Sequence, residues 1–162
     1  MGVKILFRIA KTGGLVDKIV ALGTWGPVSH CEIMFSDGQC FSSYPGRGVN
    51  FVVIGLDPTQ WVWFDLPISE QEEAALRAWC EGEVGCWYDY LGAITLTPHN
   101  GERWFCAEIC IEGLDVNTSF FFRRCMSPNS FYYCCLCKGL HANGGENPSQ
   151  GICGEFNSHK VH

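Results

Sequence analysis

Along the first 67 positions, apolar and polar residues alternate in short runs, which is the period of a β-strand buried on one face. The run VKILFRI opens this pattern, and its β-branched and aromatic residues favour an extended backbone. Two later runs are joined by Asp37-Gly38, a pair that favours the tight turn of a β-hairpin. The pattern predicts five strands, the last two apolar enough to be central, over 3–9, 29–35, 39–43, 48–56 and 60–67.

Helical spacing appears once near the start of the chain and dominates after position 68. Apolar residues from Leu15 to Leu22 recur every three or four positions and predict a short helix within 14–26. Ser69 and Glu72 have the spacing of a capping box in front of an amphipathic segment. Helices are therefore predicted over about 70–82, over 86–96, over 103–114 and from Ser127-Pro128, where serine would cap and proline would begin the helix.

The order of these elements, with strands first and helices later, is typical of an α+β domain. We expect an antiparallel sheet with helices packed on one of its faces. At 162 residues, 47% of them hydrophobic, the chain is long and apolar enough to bury one core, which we assign to residues 1–138. The remaining residues, 139–162, are rich in Gly, Asn, Ser and His and predict a poorly ordered tail.

Charge and apolar content exclude several classes of function. A net charge of −6 gives no electrostatic footprint for nucleic acid or for an anionic membrane surface. The first apolar stretch is too short for a signal peptide or a membrane span, so we expect a cytoplasmic protein. Its 11 cysteines are then reduced, and several of them serve as small core residues.

A group of soft metal ligands near the C-terminus suggests one alternative. The segment CCLCKGLH, 134–141, is followed by Cys153, His159 and His162, and Cys and His are the usual ligands of structural zinc. The spacing does not match a paired zinc knuckle, and two adjacent cysteines suit a tetrahedral site poorly. We therefore expect no metal and no cofactor, and a zinc-stapled interaction module stays open as an alternative.

The predicted strand SHCEIMF carries two ionisable groups on one face. In an extended chain His30 and Glu32 point to the same side, while Cys31 points to the other. Burying two such groups is costly unless each has a partner. The pair therefore indicates a solvated edge, half of a metal site or part of a catalytic site.

A nucleophile that could serve His30 must come from elsewhere in the sequence, and Cys106 is the best placed thiol. It stands at the expected start of the helix in CAEICIEGL. A thiol there meets the positive end of the helix dipole and unpaired N–H groups, which lower its pKa and can hold an oxyanion. Cys106 and His30 would then form a thiolate–imidazolium pair; the alternative is that Cys106 is one more buried core cysteine.

The motifs SHCEIMFSDG, YDYLG at 88–92 and FCAEI at 105–109 together resemble the circularly permuted branch of the papain-like, NlpC-type cysteine hydrolases. This branch includes the YiiX-type proteins and lecithin:retinol acyltransferase, and it places the His strand before the Cys helix. The resemblance spans roughly 28–112 and implies a permuted papain-like fold with Cys106 as nucleophile and His30 as base. Similar small proteins occur in bacteriophages, which would place the chain in the host cytoplasm.

The resemblance also implies a polar residue that orients the imidazole, usually from the neighbouring strand. The matching position is Ser42, a weak orienting group, whereas Glu32 offers a carboxylate that favours the charged ring of His30. We prefer Glu32 for this role and keep Ser42 as the alternative and as a substrate contact. Tyr88 matches a position at which these enzymes place a tyrosine that contacts substrate, and Asp89 is expected to cap a helix.

These features predict a thiol hydrolase or acyltransferase that cleaves an amide or ester bond. Candidate substrates are peptides, isopeptides, peptidoglycan-derived peptides and acyl esters. Cys106 would attack the carbonyl, His30 would take and return the proton, and the backbone N–H of Cys106 would hold the oxyanion. Besides the zinc-stapled module, a catalytically inactive binding or anti-host factor on the same fold stays open.

Overall fold

The described chain folds around a six-stranded antiparallel sheet. The computed structural model describes residues 2–12, 26–97, 102–122 and 127–145. Its elements are β1 (Lys4–Ile9), β2 (Val28–Met34), β3 (Gln39–Tyr44), β4 (Gly48–Val53), β5 (Trp61–Asp65), α1 (Glu70–Glu83), β6 (Trp87–Tyr88), α2 (Tyr90–Thr95), β7 (Arg103–Trp104), α3 (Cys106–Asn117), α4 (Pro128–Cys137) and β8 (Ala142–Gly144). The large sheet has the order β4-β3-β2-β1-β5-β8, and the α+β prediction with an antiparallel sheet is confirmed.

The helices α1, α3 and α4 pack on one face of this sheet. Alternate residues of β1 and β2, such as Phe7 and Ile33, form one buried cluster with Leu76 of α1, Ile109 of α3 and Phe131 of α4. A smaller cluster lies on the opposite face, formed by Leu6, Met34, Cys40 and Trp61. The alternation along the strands thus places an apolar set on each face, and the helices cover the larger one.

Strand β4 lies at the edge of the sheet, so the expectation that it is central is wrong. Its two faces are apolar for another reason. The Phe51 ring packs on Phe41, with centroids 5.1 Å apart, while Val52 packs against the smaller cluster. Each face of β4 therefore meets an apolar cluster, although the strand pairs with β3 at the edge of the described sheet. Its last residue, Val53, is exposed.

The helix boundaries follow the capping residues. Helix α1 begins after Ser69, whose capping box with Glu72 is present, and α4 begins at Pro128 after Ser127; both predictions are confirmed. Helix α2 starts later than predicted, whereas α3 starts at Cys106, the expected helix start within the segment 103–114. A short parallel pair, β6 with β7, supplies the residues just before each helix. The Asp89 carboxylate caps α2 by accepting from the Gly92 amide at 2.8 Å, as predicted.

Two predicted segments, the helix within 14–26 and the tail from 139, lie only partly within the described residues. The helix predicted within 14–26 falls almost entirely outside the described residues. The predicted tail starts at 139, yet β8 pairs with β5 and the Gly145 amide donates to the Pro58 carbonyl at 2.6 Å. The sheet therefore extends into the tail segment as far as Gly145, and residues 146–162 lie outside the described part.

Among the described residues, no helix is both long enough and apolar enough to cross a membrane.

The contribution of β8 can be tested with two glycines of opposite surroundings. A Cβ at Gly144 would collide with the Trp63 ring, whereas a Cβ at Gly139 would meet nothing within 4 Å, and both residues have a positive φ. We expect Gly144→Ala to lower Tm more than Gly139→Ala does. A chain truncated after Lys138 should lose about 1–2 kcal/mol, or roughly 3–8 °C in Tm, because Asn143 no longer binds Asp65.

Thermal unfolding followed by circular dichroism measures these effects. A chain that ends at Gly145 keeps every described contact of β8 and serves as the control. Equal Tm values for the chains that end at Lys138 and at Gly145 would contradict a structural role for β8.

Candidate active site

Strands β2 and β3 pair at the hairpin end and separate towards the other end. The ladder consists of Ile33 opposite Phe41 and Met34 opposite Cys40. Beyond it, the Cys31 carbonyl accepts a hydrogen bond from the Ser42 hydroxyl at 2.8 Å, so a side chain satisfies a main-chain group that a longer ladder would use. The sheet is therefore open at this point, next to His30.

Helix α3 packs at this opening. The thiol of Cys110 lies 3.8 Å from the Cys31 carbonyl and 3.9 Å from the Phe41 carbonyl. Contacts from a helix side chain to two strand carbonyls require the helix to lie directly against the separated strands. The first residue of α3, Cys106, is one turn away from Cys110 and is consequently brought to β2 as well.

Local hydrogen bonds fix the position at which α3 starts. The Ser43 hydroxyl donates to the Trp104 carbonyl at 2.6 Å and ties β3 to the chain just before the helix. The Phe105 amide donates to the Glu108 carboxylate at 3.5 Å, so that Glu108 covers the first turn from the side. A carboxylate in this turn also suits the positive end of the helix dipole.

His30 and Glu32 form a buried ion pair on β2. Nε2 of His30 lies 3.2 Å from Oε1 of Glu32, and their side chains are 15% and 3% exposed. Burial by itself would lower the pKa of His30, but the negative charges of the neighbouring Cys106 and Glu32 favour the charged ring and raise this pKa from 6.5 to about 10. The ring is therefore held in its charged form through neutral pH.

Cys106 has the opposite shift. It is 5% exposed. The neighbouring Cys31 thiol and the positive charge of His30 lower the pKa of Cys106 well below its usual range, although burial opposes them. A thiol that ionises early beside a histidine that ionises late forms a thiolate–imidazolium pair.

Tyr88 lies near this pair. It is half-buried on β6, and its ring centroid is 4.9 Å from that of Tyr90. Burial, followed by the negative charges of Cys106 and Cys31, raises the pKa of Tyr88, so the phenol keeps its proton and can donate a hydrogen bond.

The structure thus brings together most of the residues that the sequence singled out. His30, Glu32 and Cys106 meet at the open end of β2, and Tyr88 is within electrostatic range of Cys106. Ser42 is fully buried, and its hydroxyl binds the Cys31 carbonyl rather than the imidazole. The Ser42 hydroxyl is therefore engaged at the strand opening.

Two neighbours of the site were missed from the sequence. Cys31 is buried in the same cluster as Cys106, although strand alternation turned it away from His30. The Tyr44 ring lies 5.4 Å from the His30 ring, and burial together with the charge of Glu32 raises the pKa of Tyr44. Tyr44 follows Ser42 by two positions on β3, and residues at this spacing share a face of the strand. This spacing was the sequence signal that could have identified Tyr44.

The zinc alternative requires ligands from two parts of the chain, the segment 134–141 and the residues after 152. Within the ranges that the structure describes, no three His, Cys, Asp or Glu side chains are grouped as metal ligands. Cys135 is buried in the core, whereas Cys137 is exposed. Cys153, His159 and His162 lie outside the described residues.

A scan of protein-family models finds no match to this chain, and neither do searches of curated proteins and of solved structures. The interpretation of the site therefore rests on its own residues and their geometry.

Replacing Glu32 tests its influence on His30. We expect Glu32→Gln to lower the pKa of His30 by about one unit or more, because hydrogen bonds to charged groups contribute about 1.5–3 kcal/mol and one pKa unit corresponds to about 1.4 kcal/mol. An NMR titration of the imidazole measures the change. Ser42→Ala is the matched control and should have the smaller effect; the reverse ranking would give the orienting role to Ser42.

Proposed function

We propose that this chain is a cysteine hydrolase or acyltransferase in which Cys106 is the nucleophile, His30 the general acid and base, and Glu32 the residue that orients the imidazole. The observation that carries the proposal is a buried His30 flanked by a carboxylate at 3.2 Å and by a thiol whose pKa is lowered. An ion pair that only stabilises the fold does not need a thiol beside it. A cysteine that only fills the core does not need an imidazole beside it. Their combination is typical of nucleophilic catalysis.

The reaction begins with the charged pair. The Cys106 thiolate bonds to the carbonyl carbon of an amide or ester, and the imidazolium of His30 gives its proton to the leaving amine or alcohol as the C–N or C–O bond breaks. The neutral imidazole then takes a proton from water, which attacks the thioester. The acid leaves, the thiolate is restored and His30 is charged again. An amine in place of water would complete an acyl transfer.

The oxyanion of the tetrahedral intermediate has a suitable donor at the start of α3. The first amides of a helix have no acceptor within the helix, and the amide of Cys106 is one of them. Removing one such donor typically lowers kcat by two to three orders of magnitude, or about 2.7–4 kcal/mol. The protonated phenol of Tyr88 is a second candidate donor on the substrate side.

The arrangement of elements supports the same reading. The strand with His30 precedes the helix with Cys106 along the chain, and the helix packs on an antiparallel sheet. This is the order that the permuted papain-like hydrolases have, and it supports the proposal that the chain is an enzyme of that type. The substrate class that follows is an acyl compound: a peptide, an isopeptide, a peptidoglycan-derived peptide or an ester.

Alkylation at low pH tests the thiolate. A free cysteine has a pKa near 8.5, so at pH 6 it is almost wholly protonated, whereas a thiol paired with a charged His is largely ionised. Brief treatment of the native protein with iodoacetamide at pH 6 should modify Cys106 ahead of the other ten cysteines. His30→Ala should move the pH profile of Cys106 upward and leave that of the exposed Cys137 unchanged.

Peptide mapping by mass spectrometry identifies the modified residue at each pH. Earlier modification of Cys137 than of Cys106, or a Cys106 profile indifferent to His30, would contradict the ion pair and the hydrolase with it.

An acyl probe tests turnover itself. We expect an activated ester or amide to acylate the chain at Cys106 alone, and Cys106→Ala and His30→Ala to abolish this. The rate should rise through the low pKa of Cys106, stay level near neutrality, and fall as His30 loses its proton near pH 10. A folded wild-type chain that no probe acylates would be the inactive binding factor rather than an enzyme.

A further inference from the structure

Two buried hydrogen-bond donors beside His30 have no partner among the described residues. They are Nε of Arg8 and the hydroxyl of Tyr44, on the two strands that flank β2. The acceptor Oε2 of Glu32 is buried near them and is also without a hydrogen bond. Folded proteins satisfy nearly all of their buried polar atoms, so such a grouping calls for an explanation.

Arg8 lies on β1 directly opposite His30. Residues paired in this way project from the same face of the sheet, with Cβ atoms about 4.5–5.5 Å apart. On its other side, Arg8 is paired with the buried Trp61 of β5. The register of β1 with β2 is regular as far as Arg8 and shifts directly after it. Irregularities of this kind often occur next to active sites, because they change the direction of a side chain.

The charge of Arg8 is not neutralised by any described carboxylate. Lys4, on the same face of β1, is also half-buried, and it pairs with Asp65. Arg8 is half-buried without such a partner, while Glu32 is engaged by His30. Arginine stays charged at every physiological pH, and the planar fork of its N–H groups matches the two oxygens of a carboxylate. The position of Arg8 therefore favours an anion of this shape.

Tyr44 supplies a second donor on the opposite side of His30. Its ring centroid lies 5.4 Å from that of His30. Burial, followed by the charge of Glu32, raises the pKa of Tyr44, so the phenol keeps its proton and can donate. The candidate base is thus flanked by a cationic donor on β1 and a neutral donor on β3.

We propose that Arg8, assisted by the Tyr44 hydroxyl, binds a free carboxylate of the substrate beside His30. This inference rests on the proposed function, and it narrows the substrate class to acyl compounds with a carboxylate close to the scissile bond, such as a peptide cleaved near its C-terminus. Two parallel N–H···O hydrogen bonds from an arginine fix the direction of a carboxylate as well as its distance. A substrate held in this way presents its carbonyl to Cys106 in one orientation.

The experiment compares matched alkylating probes on the full-length chain. Chloroacetylated amino acids with a free carboxylate are paired with the corresponding primary amides, which are uncharged and nearly isosteric. In both, the Cys106 thiolate forms a C–S bond and chloride leaves. Glycine, β-alanine and γ-aminobutyrate vary the spacing between the carboxylate and the reacting carbon. Peptide mapping gives the acid-to-amide rate ratio at Cys106 and, as a reference within the same chain, at the exposed Cys137.

We expect the ratio at Cys106 to exceed that at Cys137 by about tenfold or more for at least one spacing, because hydrogen bonds between charged groups are the strong ones. Arg8→Met should lower the ratio at Cys106 by about tenfold, and Arg8→Lys, which keeps the charge without the fork, should fall in between. His30 is the same in all of these chains, so its charge does not produce the difference. Arg47→Met is the matched control, since Arg47 is exposed on the turn after β3, and it should keep the wild-type ratio.

A ratio at Cys106 no higher than that at Cys137 for every spacing, or a wild-type ratio in Arg8→Met, would overturn the carboxylate site. Tyr44→Phe removes one oxygen atom and covers the case in which Arg8→Met does not fold. It should lower the ratio severalfold; an unchanged ratio would assign the hydroxyl to Oε2 of Glu32 and overturn the proposal. Failure of the proposed function has a different signature, namely amide probes that modify Cys106 no faster than Cys137 near pH 6.

Discussion

A histidine that is both buried and charged requires negative charge close to its ring, and this requirement organises the centre of the molecule. Burial works against the charge of His30, and Glu32 on one side and Cys106 on the other outweigh it. Glu32 lies on the same strand, two positions away, so no long-range packing is needed to bring it to His30. Cys106 comes from a distant helix, and the fold has to bring that helix to the strand.

The opening between β2 and β3 is the consequence of this demand. A complete ladder would use the main-chain groups of β2 for sheet pairing and leave α3 above a flat surface. Here the ladder stops at Ile33, and side chains of Ser42 and Cys110 satisfy the Cys31 carbonyl in its place. The polar side chains in this part of the core therefore replace the main-chain pairing of β2 with β3. They allow the start of a helix to approach the imidazole.

The parts of the fold that depend on neighbours in sequence were predictable, and those that depend on distant contacts were not. The capping box of Ser69 and the caps at Asp89 and Ser127 are local signals, and each appears where expected. The edge position of β4 and the strand β8 depend on what lies beside them. An Ala-Asn-Gly segment has no alternation to reveal that it pairs with β5.

The site shows the same division. Strand alternation identified His30 with Glu32, and the expected start of a helix identified Cys106. The rule that neighbouring strand residues point apart concealed Cys31, because that rule assumes a sheet that continues on both sides of the strand. Where the strand pair opens, residues on either side of the chain can contact the same helix end. The shared burial of Cys31 and Cys106 is thus a property of the opening and is absent from any linear pattern.

The order of the elements also bears on how the protein is made. His30 on β2 is synthesised early, and Cys106 on α3 follows only after β3, β4, β5 and α1. α4, which completes the buried cluster, comes later still. Until α3 has been synthesised and packed, His30 lacks the Cys106 charge that favours its protonated form, so the late half of the chain completes the buried pair.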